Sequence, residues 1–416
     1  MTLRILVAAL APSHLLCMVP LAWAARAAGH EVLVSGREEV VRTAAAAGLP
    51  TAEVAERPLA RAPRSLGPAT ADVSLPRMAR TLSPRDRDRL AGQRWAAGEH
   101  PWQVRVARVL DGFLRVARAW RPDVVLCDPI EFAGLVVGSA LRVPVVVQRW
   151  GGPDSMSAEA IAQARHVLAD LASEVGAAEG VAPPALVVDP CPPSLRTDPA
   201  TAVEPMRFVP YNGARRYPRW ARGSGGRPRI LVTYGIFGAR AAQSGADFVS
   251  GGDLAARLDA VLAALGPWRG HEVVVTAPAA VHEQLGSLPD GVRLVERAPL
   301  NALLSSRCSL VVHHGGTGTA MTAAVHGVPQ LLLPPEHPAL VDCARGLEAR
   351  GVGRVLSGSA SSDPGALRAA AGALLEETAA RAAARDLAAE IACQPPPASL
   401  VDSLVSAARA RSVPEP

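Results

Sequence analysis

None of the six cysteines forms a C-x-x-C pair or stands with histidines at metal-ligand spacing, so neither a zinc ribbon nor a disulfide scaffold is encoded. Cys17, Cys127, Cys191, Cys308, Cys343 and Cys393 read as reduced thiols, and the expected compartment is cytoplasmic. No apolar run reaches the roughly 18 residues of a membrane helix. Positive charge forms no block: 43 Lys and Arg against 38 acids leave a scattered net +5, which argues against a nucleic-acid binder. Aromatics make up only 4%, so Ala, Val and Leu must fill the core across many packed elements. A chain of 416 residues is long enough for that, with two or three domains.

The N-terminus superficially has the parts of a secretory signal: Arg4, an apolar run from Ile5, and small residues around Trp23. Pro12 and His14 interrupt it. The same stretch reads better as a buried strand over Leu3 to Ala9 and a helix over Leu15 to Ala28, closed by Gly29. Strands then alternate with helices, at His30 to Val34, Asp123 to Cys127 and Val143 to Gln148, the pattern of a doubly wound parallel sheet. Between them, residues 56 to 104 carry many Arg and Pro, with Trp95 and Trp102, and have no clear period. A proline-dense stretch from Pro183 to Pro199 and a turn-rich one over 206 to 228 precede a second alternating series at Arg229 to Thr233, His271 to Val275, Val292 to Val295 and Leu310 to Val312. The expected fold class is therefore α/β. The expected organisation is a domain over 1–205, a linker over 206–228, a second domain over 229–394, and a C-terminal helix within 395–416 that can cross back to the first domain.

The sharpest motif is Val312-His313-His314-Gly315-Gly316-Thr317-Gly318-Thr319, leading from a strand into an alanine-rich helix. Glycines at such a turn leave backbone N–H groups uncovered at the positive end of a helix, where a diphosphate docks. Thr317 and Thr319 add hydroxyls, and His314 adds a ring N–H. Taken as an isolated glycine triplet, a plain tight turn fits as well. The spacing matches neither G-x-x-x-x-G-K-[ST] nor G-x-G-x-x-G. It resembles the H-G-G-x-G-T pattern of family 1 glycosyltransferases of the GT-B fold. Val209 to Gly213 with Arg227 to Thr233, and Met18 to Val32, are similar to the actinobacterial antibiotic branch of that family.

The resemblance implies two Rossmann-like domains facing across a cleft, an acceptor-binding one first and a nucleotide-sugar-binding one second. It implies transfer of a sugar, commonly a deoxysugar on a TDP or UDP carrier, to a polyketide-like aglycone. No cofactor is expected beyond that NDP-sugar co-substrate. A helper protein and a homodimer both stay open. So do an oxygen or a carbon linkage in the product.

His14 follows the first strand at the edge where open α/β sheets bind ligands, and a neutral imidazole can accept a hydroxyl proton. Its place sixteen residues before His30 resembles that of the family's base. Asp128 ends a later strand and could orient that imidazole, or cap the helix that follows Pro129. Trp95, Trp102, Gln148, Arg149, Trp150 and Asp154 are the candidates for lining the acceptor pocket, with Glu131 beside them. The sequence also departs from the family pattern. Pro338 and Ala339 occupy the positions of its acidic-glutamine sugar-binding pair, and neither side chain can bond a hydroxyl. Glu336, His337 or Asp342 would substitute, and Arg297 stands where a base-stacking aromatic is common. The loss favours a deoxysugar over a hydroxyl-rich donor. Asp86-Arg87-Asp88 has the spacing of a metal-binding D-x-D, but it sits in alternating charges and reads as a solvated face, so no metal is expected. The expected reaction is thus an inverting, metal-independent glycosyl transfer. The alternatives are an epimerase or hydrolase of sugar nucleotides on the same fold, and a non-catalytic binding or helper protein.

Overall fold

The computed structural model describes residues 2–57, 100–153, 158–197, 202–221, 226–235, 254–266, 268, 270–296, 298–304, 307–335 and 338–410. Two parallel sheets organise them. The first contains β1 (Arg4–Ala8), β2 (Glu31–Gly36), β3 (Thr51–Glu53), β4 (Val124–Cys127), β5 (Val145–Gln148), β6 (Leu186–Asp189) and β7 (Glu204–Pro205), in the order β3-β2-β1-β4-β5-β6-β7. The second contains β8 (Arg229–Thr233), β9 (Glu272–Thr276), β10 (Val292–Val295), β11 (Cys308–His313), β12 (Gln330–Leu332) and β13 (Gly353–Val355), in the order β10-β9-β8-β11-β12-β13.

In each sheet the chain starts at the centre, winds to one edge, then returns to wind to the other. Strand order therefore reverses between β1 and β4, paired Ile5 with Val124 and Ala8 with Cys127. It reverses again between β8 and β11, paired Leu231 with Val311 and Thr233 with His313. Such reversal points open a crevice at the carboxyl ends of the strands, because the flanking connections leave to opposite faces.

The long apolar strands stand where the residue pattern puts them. Four short ones, β3, β6, β7 and β13, were not expected. β6 lies inside the proline-dense stretch, and Pro205 sits in the outermost strand, where a residue without an N–H costs no ladder bond on its open side. The first helix also begins earlier than expected. It spans Pro12–Ala27, with Pro12 in the first turn where a missing N–H is tolerated, so His14 lies in its first turn and not in a preceding loop.

Helix Thr317–Val325 is short of large side chains because it is covered on both sides. Ala320, Met321 and Ala324 face one apolar cluster and Ala323 another. A helix buried all round needs small apolar residues and has little amphipathic character. The last helix, Leu400–Ala410, places Leu400, Leu404 and Ala408 in the same core as Leu3, Ile5 and Val124 of the first sheet.

Candidate active site

At the second reversal point, Gly315 has φ +82°, a left-handed conformation that a side chain would strain. The turn it makes is braced from below by His313. That imidazole is fully buried, accepts from the Gly315 N–H through Nδ1 at 3.2 Å, and meets Oε1 of Gln330 through Nε2 at 2.8 Å. The Gln330 amide in turn donates to the Ala320 carbonyl at 3.2 Å. Burial lowers His313 to about 4, so the ring is neutral and its Nε2 carries the proton toward Gln330. His313 was read within the motif but given no role of its own. Its bracing role had a signal in the motif, but its inward aim depends on Gln330 in the next strand.

His314 turns the other way, into a slot between Gly316 and Gly235. A methyl on Gly316 would strike the imidazole, and one on Gly235 would come within 2.9 Å of its Cε1. Burial, with His313 next to it, lowers His314 to about 3 against a hydrogen bond with the Thr233 backbone. The ring is neutral and brings no full charge, and it directs its single N–H to the Thr233 carbonyl, so it walls the slot beside Gly316 instead of donating to a diphosphate. Positive potential comes instead from the start of helix Thr317–Val325, whose cap residue is Gly316 with no side-chain cap bond. Thr317 is half-buried, Gly318 exposed and Thr319 buried.

At the first reversal point, Nδ1 of His14 lies 3.3 Å from Oδ2 of Asp128, across 114 residues of sequence. Asp128 is fully buried and also accepts from the amides of Leu10 at 2.6 Å, Ile130 at 2.9 Å and Glu131 at 3.2 Å. Burial pushes its carboxyl up, but the charge and hydrogen bond of His14 and the amides outweigh that and hold it below its ordinary value. A carboxylate at Nδ1 leaves Nε2 of His14 with its lone pair outward, the arrangement of an oriented general base. The capping role considered for Asp128 belongs to Glu131, which accepts from Ala133 at 3.4 Å ahead of helix Phe132–Leu141. Burial, and Asp128 beside it, raise Glu131 against the pull of Arg37 and Arg105. Two adjacent carboxyls are thus pushed in opposite directions.

The acceptor candidates separate. Trp150 stacks on His14, with ring centroids 4.3 Å apart. Trp102 does not reach the site: it is buried in the first core against Phe132 at 4.8 Å. Gln148 is also buried and donates to the Cys17 carbonyl at 2.8 Å, and Arg149 is buried in an ion pair with Asp189 at 3.1 Å. These three pack and brace where acceptor contacts were expected. Trp95, Asp154, Arg297, Glu336, His337 and the Asp86-Arg87-Asp88 run lie outside the described residues. Pro338 and Ala339 open helix Pro338–Ala349. Among the described residues no group of three or more His, Cys, Asp or Glu could hold a metal ion, and no helix is long and apolar enough to cross a membrane.

The two reversal points meet. Helix Pro12–Ala27, which carries His14, lies beside helix Thr317–Val325. Gly152, just beyond β5, approaches Thr317 so closely that a Cβ there would stand 2.8 Å from its hydroxyl, and Pro153 borders Gly346. Cys191, Leu195 and Phe208 from the first half share an apolar cluster with Met321, Cys343 and Leu347 from the second. Ser194 adds two hydrogen bonds to Glu390, at 2.6 and 2.8 Å.

Two family models of erythromycin biosynthesis protein CIII-like proteins match the chain, the N-terminal domain over residues 23–235 and the C-terminal domain over 259–407. The chain belongs to this family. It is a glycosyltransferase of the antibiotic branch, and its paired doubly wound sheets are those of the GT-B fold. L-demethylnoviosyl transferase of Streptomyces niveus is 33% identical to this glycosyltransferase over 95% of the chain and 96% of the relative. The 10-deoxymethynolide desosaminyltransferase of Streptomyces venezuelae is 32% identical over 94% of each. Among solved structures, spinosyn rhamnosyltransferase SpnG superposes with a TM-score of 0.80 at 34% identity, over 97% of this chain and 100% of that one. SpnG has also been solved with thymidine diphosphate and with the spinosyn aglycone.

Proposed function

We propose that this glycosyltransferase moves a deoxyhexose from a TDP-sugar to a hydroxyl of a polyketide-like aglycone, with inversion and without a metal. One observation carries the reading: an imidazole oriented by a buried carboxylate lies across the domain seam from a glycine turn at a helix start. In the proposed step the acceptor O–H gives its proton to Nε2 of His14 while its oxygen bonds the anomeric carbon. The bond from that carbon to the diphosphate oxygen breaks, and its electron pair leaves with the nucleotide. A single displacement from the opposite face inverts the anomeric centre. Asp128 stabilises the imidazolium. The amides of residues 316–319 and the hydroxyls of Thr317 and Thr319 receive the departing diphosphate, with His314 shaping the slot beside Gly316, and preorganised donors are the means of doing so without a metal. The relatives named above as transferases of noviosyl and desosaminyl groups, and SpnG with its thymidine diphosphate and aglycone complexes, support the donor and acceptor classes. The lost hydroxyl-binding pair at 338 and 339 supports a deoxysugar.

The test is mass spectrometry of reactions between TDP- and UDP-deoxysugars and aromatic or macrolide aglycones, with and without EDTA. The expected result is an aglycone heavier by one deoxyhexose, an inverted anomeric centre by NMR, and no effect of chelation. Sugar release or epimerisation without acceptor, or binding without turnover across the panel, overturns the proposal.

A further inference from the structure

Trp150 has more than a lining position. It is the first residue beyond Arg149, which is fixed by its ion pair with Asp189 and by its N–H on the Val188 carbonyl at 2.8 Å. Part of the indole packs on the first core. The ring then covers the His14 imidazole at 4.3 Å, tilted 37°. Among the described residues, the charged and titratable groups around that imidazole are few. Asp128 lies at Nδ1, and Glu131 follows it on the same edge. Cys17 stands one turn along the helix with its thiol held neutral at about 12 by burial and Asp128. Arg149 is behind Trp150, already paired.

We infer that Trp150 is a positioning residue that presses the His14 imidazole toward Asp128 and stabilises, through its ring face, the imidazolium formed when His14 takes the acceptor proton. The inference rests on the proposed base role of His14. An aromatic face carries negative potential and attracts a cation, most strongly for tryptophan. The neutral ring before the reaction gains much less from that face, so the contact strengthens as the proton arrives. An interaction that is stronger in the transition state than in the ground state raises kcat and not only affinity. Asp128 meets the ring at its edge and Trp150 at its face, so the two act from different directions.

The experiment compares Trp150→Leu and Trp150→Phe with the wild type in pH profiles of kcat/KM, with thymidine diphosphate affinity and thermal midpoint measured alongside. Trp150→Leu should lower plateau kcat/KM by roughly three- to thirtyfold, the range a partly desolvated cation–π contact spans. Its acid limb should move to lower pH, because the protonated base has lost a stabilising partner. Trp150→Phe should restore most of both. An unmoved limb in Trp150→Leu overturns the inference, as does a Trp150→Phe variant as impaired as Trp150→Leu, which would put the effect on the indole N–H. His14→Ala separates the two layers: full turnover with an unchanged limb in that variant removes the base role itself, whereas its inactivity beside an unmoved Trp150→Leu limb removes only the role of Trp150.

Discussion

At the first reversal point the reactive groups are side chains, His14 against Asp128 under Trp150, and their charges respond to one another. At the second, the groups that face outward are backbone amides, and the two imidazoles there are buried and neutral. In the proposed reaction one strand order thus serves two kinds of chemistry. A proton acceptor must change charge during the reaction, so it needs a partly exposed, polarisable setting; a diphosphate cradle must not reorganise, so its donors are fixed by the fold.

Removing the proton acceptor tests this contrast hardest. His14→Ala should lower kcat/KM by about 10²–10⁴, while thymidine diphosphate affinity by calorimetry stays within about twofold. A matching loss of nucleotide affinity would mean that the two edges do not divide the work.

A smaller effect is expected from the other side. Gly316→Ala drives a methyl into the His314 ring and should weaken thymidine diphosphate by roughly ten- to a hundredfold, the value of one hydrogen bond to a charged group. Binding of the aglycone alone, followed by tryptophan fluorescence, should not change. If the aglycone is lost as well, the slot around His314 serves both substrates.

The smallest effect concerns acid. His313 and His314 titrate at about 4 and about 3 when folded, against 6.5 for a free imidazole, so below that value the unfolded chain takes up protons first. Stability from these rings is present above pH 6.5 and declines through the window down to their folded values. The first domain has one such ring, His100 at about 4, but Glu131 and Asp189 are raised and work in the opposite direction on acidification. Hydrogen exchange between about pH 7 and pH 4.5 should therefore show the β8–β13 sheet losing protection before the β1–β7 sheet. Equal loss in both would remove the electrostatic difference between the domains.

Much of this was legible in the order of residues. The run from His313 to Thr319 is contiguous, so its turn, its glycines and its helix could be read as one unit. The two long apolar series announced two parallel sheets, and the ends of their strands marked His14 and Asp128, although only folding brings the pair together. What stayed hidden depends on neighbours distant in the chain. Trp102 and Trp150 are the same residue type near predicted strands and helices, yet one closes a core and the other covers the His14 imidazole. Gln148 and Arg149 read as polar pocket residues because Cys17 and Asp189, which satisfy them, lie far off in sequence. The approach of Gly152 to Thr317 leaves no local trace at all.

Helix Leu400–Ala410 completes the hydrophobic underside of β1 and β4 with the last described residues of the chain. Until that helix is translated and docked, the core around Leu3, Ile5 and Val124 lacks the contacts of Leu400, Leu404 and Ala408. Domain-by-domain maturation, the ordinary route for a protein of this size, therefore leaves this lobe one helix short of its core.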